Sequence, residues 1–290
     1  MIGNQIAFLG PEGSYSEQAA RNYNPSANLV PFNSFRAISE AVVAREIEEG
    51  ILAIENSLTG SIIENLEVLV EFQDLKIRGE VVIPIHHSLI VKSGTKTEQV
   101  QVVFSHPQAL SQCKNFISKN LPHASLVASL STSSSVTDMV TSHIPAASIA
   151  NHNAASQEGI EILKTSIEDS PNNATRFIII SNSDNPQTGN DKTSLCISFD
   201  SDKSGILYNV LGECAKRGVN MTKIESRPSK LNLGNYIFFI DIEGHREDQI
   251  TKETLSAIKS KTEKFSIIRF LLTDLGITTI PRCIAQRINI

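Results

Sequence analysis

The residues with chemistry to offer fall in five short clusters: Gly10–Glu17 (GPEGSYSE), Glu55–Ser61 (ENSLTGS), Ser105–Ala109 (SHPQA), Ser133–Ser135, and Asn173–Arg176 (NATR). They consist mainly of hydroxyls, carboxamides and a few charges. Hydroxyls and unpaired N–H groups at helix starts favour anions by about 0.3 to 1 kcal/mol each. Several acting together suit a small molecule carrying two carboxylates. Each cluster also has a purely structural reading. Ser14 and Glu17 stand at capping-box spacing, and Ser57, Thr59, Ser61 and Ser133 to Ser135 are equally suited to capping the helices that follow them. His87 and His106 are the titratable groups nearest the clusters, and a lone histidine is commonly a hydrogen-bonded structural residue. Arg176 precedes an apolar strand, so its fixed charge requires an acidic partner or an anionic ligand.

The clusters are spaced by elements able to carry them. IAFLG (6–10) is an apolar run that stops at Gly-Pro, and a helix follows Ser14. Phe35, Ile38, Val42 and Ile47 recur at helical intervals up to Gly50, after which ILAIE reads as a buried strand. VVIPI, SLIV, VVFS (102–105), AASIA and FIIIS (177–181) are further strands. A helix carries Leu110, Cys113 and Ile117, and the Ser/Thr stretch 129–137 forms a helix entrance. In such an alternation of strands and helices, clusters at strand ends are where open α/β sheets bind ligands. SDNPQTGND (183–191) concentrates turn formers without a large apolar residue and marks a domain boundary. Beyond it the order strand, helix, strand, strand, helix, strand is a βαββαβ pattern.

At 290 residues the chain has room for two domains. Its 26 basic and 31 acidic residues supply no broad field for nucleic acid. No basic leader with an apolar core and no apolar run near the length of a membrane helix is present, so a cytoplasmic protein is expected. Cys113, Cys196, Cys214 and Cys283 are far apart and lack histidines at metal-ligand spacing, which favours reduced, mostly buried thiols.

GPEGSYSEQA, AIENSLTGSI, SHPQALSQC and NNATRFIIIS, taken in order, resemble the prephenate dehydratase family, and GILYNVLGECAKRGVNMTKIESRPSK resembles the amino-acid-binding ACT domain that follows the catalytic part in those enzymes. The resemblance runs from Ile6 to about Leu275. It implies an α/β protein with a two-lobed, periplasmic-binding-protein-like catalytic domain over 1–183. Lobe 1 would span about 1–86 and 162–183 and lobe 2 about 87–161, followed by a linker at 184–191, a ferredoxin-like βαββαβ ACT domain at 192–275 and a tail at 276–290. It also implies the single-function form, without a fused chorismate mutase upstream.

The implied activity is a lyase reaction, conversion of prephenate to phenylpyruvate with loss of carbon dioxide and water, needing no metal or organic cofactor. Thr175 would contact the departing hydroxyl, with His106 in reserve. Arg176 would pair with a substrate carboxylate, and Asn56, Ser57, Ser105, Ser134 and Ser135 would fix the two ends of the dianion, with Ser14, Asn173 and Phe177 completing the site. Gly205, Ile206 and Leu207 with Glu225, Ser226, Arg227 and Pro228 match the family's phenylalanine-binding motifs. Those motifs imply feedback inhibition and, because such ligands lie between two copies, a homodimer or homotetramer. Ser14, Asn65, Ile206 and the run Ser135–Met139 depart from the family pattern. Asp138 in that run is expected on the outer face of its helix, since a charge facing the cleft would repel a dianion. The rival readings are arogenate dehydratase, a non-catalytic small-molecule sensor, and a nucleic-acid-binding regulator that the charge balance disfavours.

Overall fold

Short apolar runs ended by turn residues build the first sheet. In chain order the elements are β1 (Gln5–Leu9), α1 (Tyr15–Tyr23), β2 (Asn28–Phe32), α2 (Phe35–Val43), β3 (Glu49–Asn56), the two-residue β4 (Gly60–Ser61), α3 (Ile63–Glu71) and β5 (Lys76–Pro84). The computed structural model describes residues 4–72, 74–156, 158–199, 203–229 and 235–268. Its contacts divide the chain into Met1–Asp184 and Asn185–Ile290.

The chain then leaves for a second sheet made of β6 (Ser88–Lys92), β7 (Val102–Ser105), β8 (Ser125–Ala128), β9 (Ala146–Ala150) and β10 (Ile160–Lys164), interleaved with α4 (Pro107–Gln112), α5 (Lys114–Asn120) and α6 (Ser134–Thr141). It returns as β11 (Ala174–Ser181), which inserts antiparallel between β3 and β5. The first sheet has the order β2-β1-β3-β11-β5 with β4 beside β3, and the second β10-β6-β9-β7-β8. Ile6, Phe8, Ile51, Val81, Ile83, Phe177 and Ile179 cover one face of the first sheet and pack on Ala19 and Ala20 of α1. On the other face α2 lies so close that a Cβ on Gly50 would stand 2.4 Å from Ile38 Cγ2, which requires glycine there.

Besides the two-residue β4, three strands lack a clear signal in the sequence. β2 contains Pro31 and β8 is exposed at every residue, features that an edge strand tolerates and a central strand does not. The third, β10, extends the second lobe past its expected end near Glu161, because Ile160–Lys164 pairs with β6. The single helix expected through Leu110, Cys113 and Ile117 is two helices jointed at Cys113. The Asp169 N–H donates to the Gln112 carbonyl at 2.7 Å, and the Asp169 carboxylate accepts from the Asn115 N–H at 3.1 and 3.2 Å. One returning-loop residue thus serves both the end of α4 and the start of α5.

The two connections between the sheets run side by side. Ile85 donates its N–H to the Asn173 carbonyl at 2.8 Å, and Ile167 donates to the His87 carbonyl at 3.0 Å. Between them Glu168 accepts from the His87 N–H at 2.9 Å and meets His86 Nδ1 at 2.7 Å. At the other junction, a Cβ on Gly13 would stand 2.7 Å from Ala154 Cα, and Asn151 donates to Gln18 at 2.7 Å.

The second unit comprises β12 (Lys192–Ser198), α7 (Ile206–Lys216), β13 (Met221–Pro228), β14 (Tyr236–Glu243), α8 (Gln249–Lys259) and β15 (Lys264–Ile268). Its sheet, β13-β14-β12-β15, is antiparallel throughout, and Leu195, Ile197, Ile240 and Ile242 pack on Val210 and Cys214 of α7 and Leu255 and Ile258 of α8. This is the βαββαβ order read from the sequence. The stretch expected as a linker is tied down at its end. The Asp191 carboxylate accepts from the N–H groups of Thr188 and Gly189, and the Gly244 N–H donates to the Asp191 carbonyl at 2.7 Å. The expected tail at 276–290, with Cys283, and the last residues of the expected domain lie outside the described residues.

Burial alone would raise the Glu168 pKa, but hydrogen bonds from His86 and from backbone N–H groups outweigh it and hold the carboxyl below its ordinary range. A depressed folded-state pKa gives stability that is present above the ordinary carboxylate value and is lost as pH falls through the folded one. Glu168→Gln is therefore expected to lower the urea midpoint at pH 7, with the gap to wild type closing below about pH 4. A gap that stays constant down to pH 3 would contradict this.

Candidate active site

At the C-terminal end of β3 the chain turns sharply, and Asn56 sits at the turn, buried. Its Oδ1 accepts from the backbone N–H groups of Leu58 at 3.0 Å and Thr59 at 3.2 Å, and from the Thr59 hydroxyl at 3.2 Å. A backbone N–H can only donate, so the carboxamide has one orientation. Its Nδ2 faces β11, donating to Asn173 Oδ1 at 2.7 Å, Thr175 Oγ1 at 3.0 Å and the Ala174 carbonyl at 3.1 Å. Asn173, with its oxygen engaged, donates Nδ2 to Gln112 Oε1 at 3.1 Å. Lobe 1 thereby reaches the end of α4 in lobe 2. Gln112 Oε1 also lies 2.9 Å from His87 Nε2, and His87 Nδ1 lies 3.0 Å from the Tyr15 hydroxyl. A second link between the lobes runs from Gln108 Nε2 to Thr59 Oγ1 at 3.2 Å.

Two groups in this chain stand out. Thr175 Oγ1 accepts from Asn56, and among the described residues its own hydrogen has no acceptor. Gln112 Nε2 is buried and, among the described residues, without a partner.

A hydroxyl has a single hydrogen, and every serine expected at the site has given it to the protein. Ser14 donates to the Leu9 carbonyl at 2.9 Å while capping α1, and Ser57 donates to the Asn172 carbonyl at 3.0 Å while accepting from the Ala174 N–H. Ser105 donates to Ile149 at 2.5 Å, joining β7 to β9. Ser134 forms a reciprocal cap with Ser131, and Ser135 lies between the Thr132 carbonyl and Ser148. None is free to donate to a carboxylate, so for these residues the structural reading replaces the expected one. Phe177 is 2% exposed, inside the first sheet's core. His106 caps α4, its Nδ1 accepting from the Gln108 N–H at 3.3 Å. Asp138, expected on the outer face of its helix, is instead half-buried and accepts from the buried Ser129 at 2.6 Å.

Arg176 is also corrected. Successive strand residues point to opposite faces, so Arg176 leaves β11 away from Thr175. There its Nε donates to Glu80 at 2.6 Å and its Nη1 meets Glu55 at 3.5 Å. Acidic partners in the protein take the charge expected to meet a substrate carboxylate.

A model of the family described as prephenate dehydratase matches residues 6–185, and an ACT domain model matches 201–260. The chain belongs to the prephenate dehydratase family. It is 35% identical over 277 residues to a prephenate dehydratase of Methanocaldococcus jannaschii, covering 92% of this chain and 97% of that protein. It is 35% identical over 283 residues to the chloroplastic arogenate dehydratase/prephenate dehydratase 1 of Arabidopsis thaliana, covering 92% and 71%. Among solved structures it resembles the prephenate dehydratase of Arthrobacter aurescens in complex with L-Phe, with a TM-score of 0.86 and 29% identity over 93% of this chain and 90% of that one.

In the ACT unit a cavity of about 430 Å³ is lined by Phe199, Lys203, Gly205, Ile206, Leu207, Tyr236 and Phe238 among others. It includes the whole Gly205-Ile206-Leu207 motif, with Gly205 in the left-handed conformation before α7. Glu225 to Pro228 form the end of β13 and are not among its lining residues. Arg227 there has a buried Nη1 without a partner among the described residues.

The sequence reading missed Gln112, Tyr15 and Thr59 as members of the cluster. All three lie inside quoted motifs, but nothing local distinguishes a glutamine that crosses a cleft from one that faces solvent.

Arg176 has 15% and Glu80 9% side-chain exposure, so the pair is largely removed from water. Arg176→Leu is expected to cost about 3 kcal/mol of stability, as removal of one partner of a buried pair does. The KM for substrate should move less than threefold. Unfolding and kinetics on the same preparation check it, and a large KM rise in a stably folded variant would return Arg176 to the substrate.

Proposed function

We propose that this chain converts prephenate to phenylpyruvate in phenylalanine biosynthesis, with Thr175 as the group that meets the departing hydroxyl. The observation that carries this role is the direction of the Asn56 hydrogen bond. Because Asn56 donates to Thr175 Oγ1, the threonine's hydrogen is left for a partner outside the protein, and being an acceptor makes it a somewhat better donor.

In the reaction the bond between the ring and its carboxylate breaks and carbon dioxide leaves. The electron pair enters the ring, and the carbon–oxygen bond across the ring breaks to give an aromatic product and hydroxide. A threonine hydroxyl is too weak an acid to be a full proton donor at neutral pH, so its contribution is hydrogen-bond stabilisation of the developing oxyanion. His106, the reserve candidate, is engaged at Nδ1 as the cap of α4, so the proton that completes water comes from solvent. Among the described residues, Gln112 Nε2 is the carboxamide donor of the cluster that no protein acceptor takes. Arogenate is the alternative substrate, differing by an amino group where prephenate has a ketone.

Phenylalanine is the proposed effector, held at the cavity beside Gly205 to Leu207. Phe199, Tyr236 and Phe238 suit an aromatic ring, and the start of α7 with Lys203 suits a carboxylate. Completion of this site by a second copy in a homodimer or homotetramer belongs to the same proposal. Feedback inhibition requires phenylalanine to bind the less active arrangement better.

Thr175→Ala should lower kcat about 100-fold with KM within threefold, and Thr175→Ser should recover most of the loss. Near-normal kcat in Thr175→Ala would remove Thr175 from the reaction. Prephenate and arogenate assayed separately distinguish the two substrates, and product from neither would favour a sensor. Isothermal titration of the full chain with phenylalanine is expected to show saturable binding accompanied by inhibition, and an absence of heat would remove the effector.

A further inference from the structure

Thr175 faces Asn56 because β3 carries one extra residue. The pairing of β11 with β3 is regular from Ser181 opposite Glu49 to Phe177 opposite Ala53, and there it shifts. Arg176 stands opposite Glu55 and Thr175 opposite Asn56, which leaves Ile54 with no residue across from it. This is a β-bulge. Side chains alternate between the two faces of a strand, and directly opposed residues share a face. In an unbroken ladder Thr175 would oppose Glu55, and Asn56 would point to the face of Arg176. The bulge reverses both placements. Glu55 comes to the face of Arg176, 3.5 Å from its Nη1, and Asn56 comes to the face of Thr175, with Nδ2 3.0 Å from Oγ1. An ionised carboxylate only accepts, so Glu55 in the place of Asn56 would take the hydrogen that Thr175 now keeps for a partner outside the protein.

A bulge interrupts the ladder and has to be held from elsewhere. Two contacts hold this one, both from the segment that follows the turn. Ile62 donates its N–H to the Ile54 carbonyl at 2.9 Å, and Asn65 Nδ2, in the first turn of α3, donates to the Ala53 carbonyl. A reversed Asn65 amide would set oxygen against oxygen there. Asn65 belongs to the buried side of α3 with Leu66, Val68 and Leu69, and its exposure is 0%. Its Oδ1 is buried and, among the described residues, without a partner. An unmet buried oxygen is a cost that a leucine, of similar branched shape, would avoid. Packing alone therefore does not account for an asparagine at this position, whereas the bond to Ala53 does.

We propose that Asn65 is a positioning residue for the reaction: by holding the Ala53 carbonyl it keeps the extra residue of β3 in place, and so keeps Asn56 rather than Glu55 opposite Thr175. This rests on the role given to Thr175 above. Asn65 acts through the backbone of β3, with no hydrogen bond to Asn56 or Thr175 among the described residues. With the Ala53 carbonyl released, the end of β3 exchanges between the bulged and the regular pairing, and a slip of one residue turns every side chain beyond it to the other face. A misplacement of about 1 Å in such a site already costs on the order of 100-fold in rate.

The test reads both the placement of Asn56 and the reaction, on the full chain. In the ¹⁵N-labelled protein at pH 7 the Asn56 side-chain amide, assigned by its loss in Asn56→Asp, is expected to exchange slowly with solvent, because it donates within the protein. Asn65→Leu is expected to speed that exchange at least about tenfold. It is also expected to lower kcat per folded molecule about 30-fold with KM within about threefold. A folded variant with unchanged kcat, or with unchanged exchange at Asn56, would overturn the inference. In the Thr175→Ala background the same substitution should change kcat by less than about threefold, since the group it positions is gone. Losses that multiply in full would also overturn it. Should Asn65→Leu fail to fold, Asn65→Ala replaces it with the same expectations. Wild-type inactivity on both prephenate and arogenate would strike the proposed reaction instead, and the exchange at Asn56 would still decide the placement.

Discussion

The cluster around Asn56 depends on two backbone N–H groups. Leu58 and Thr59, in the turn after β3, donate to one carboxamide oxygen, and that contact decides which atom of Asn56 faces β11. A reversed amide would put N–H against N–H at the turn and oxygen against the oxygens of Asn173, Ala174 and Thr175. Several hydrogen bonds would be lost in buried surroundings, at about 1 to 3 kcal/mol for each group left unsatisfied. The turn itself is held by β4, since Asn56 pairs with Gly60 and Glu55 with Ser61. A two-residue strand without an evident sequence signature is thus what orients the most connected side chain of the site.

The second constraint is where the chain crosses between sheets. Lobe 2 is an insertion between β5 and β11, and both crossings are hydrogen-bonded to each other through Ile85, His87, Ile167 and Asn173. Asn173, the first site residue after the return, carries a backbone contact of the crossing and a side-chain contact of the cluster. Asp169, four residues earlier, breaks the expected single helix at Cys113 and leaves Gln112 at its end. The hydrogen-bonded cluster and the crossings between the sheets therefore share the same few residues.

Most strands were legible because they are buried on both faces and read as unbroken apolar runs, as ILAIE and FIIIS do. The edges were not, since β2 carries a proline and β8 has no buried residue. The clusters were legible as groups, and Asn56, Asn173 and Thr175 do come together. What the sequence could not show was where each hydrogen goes. Ser14, Ser57, Ser105, Ser134 and Ser135 are of the type that binds anions, yet each donates to a carbonyl or hydroxyl nearby in space, in several cases far away in sequence, as with Ser105 and Ile149. Arg176 failed for a related reason: strand alternation sends it to the face opposite Thr175, where Glu80 and Glu55 wait.

The engagement of Arg176 by Glu80 and Glu55 is compatible with the chemistry of the departing carboxylate. A decarboxylation destroys a negative charge, because the carboxylate leaves as neutral carbon dioxide. A cation 4 Å from that carboxylate would favour the starting state by about 4 kcal/mol at an effective dielectric constant of 20, and most of this would be lost on the way to carbon dioxide. Since 1.4 kcal/mol is a factor of ten in rate, such a pairing would slow the step by roughly a thousandfold. A neutral carboxamide or hydroxyl donor holds the same carboxylate for about 1 kcal/mol and forfeits correspondingly little. At the other end of the ring the charge grows as hydroxide departs, and there a donor aligned in advance gains strength through the step. A reaction whose main demands are orientation and one well-placed hydrogen bond is matched by a neutral hydroxyl such as that of Thr175, which Asn56 holds in place from the protein side.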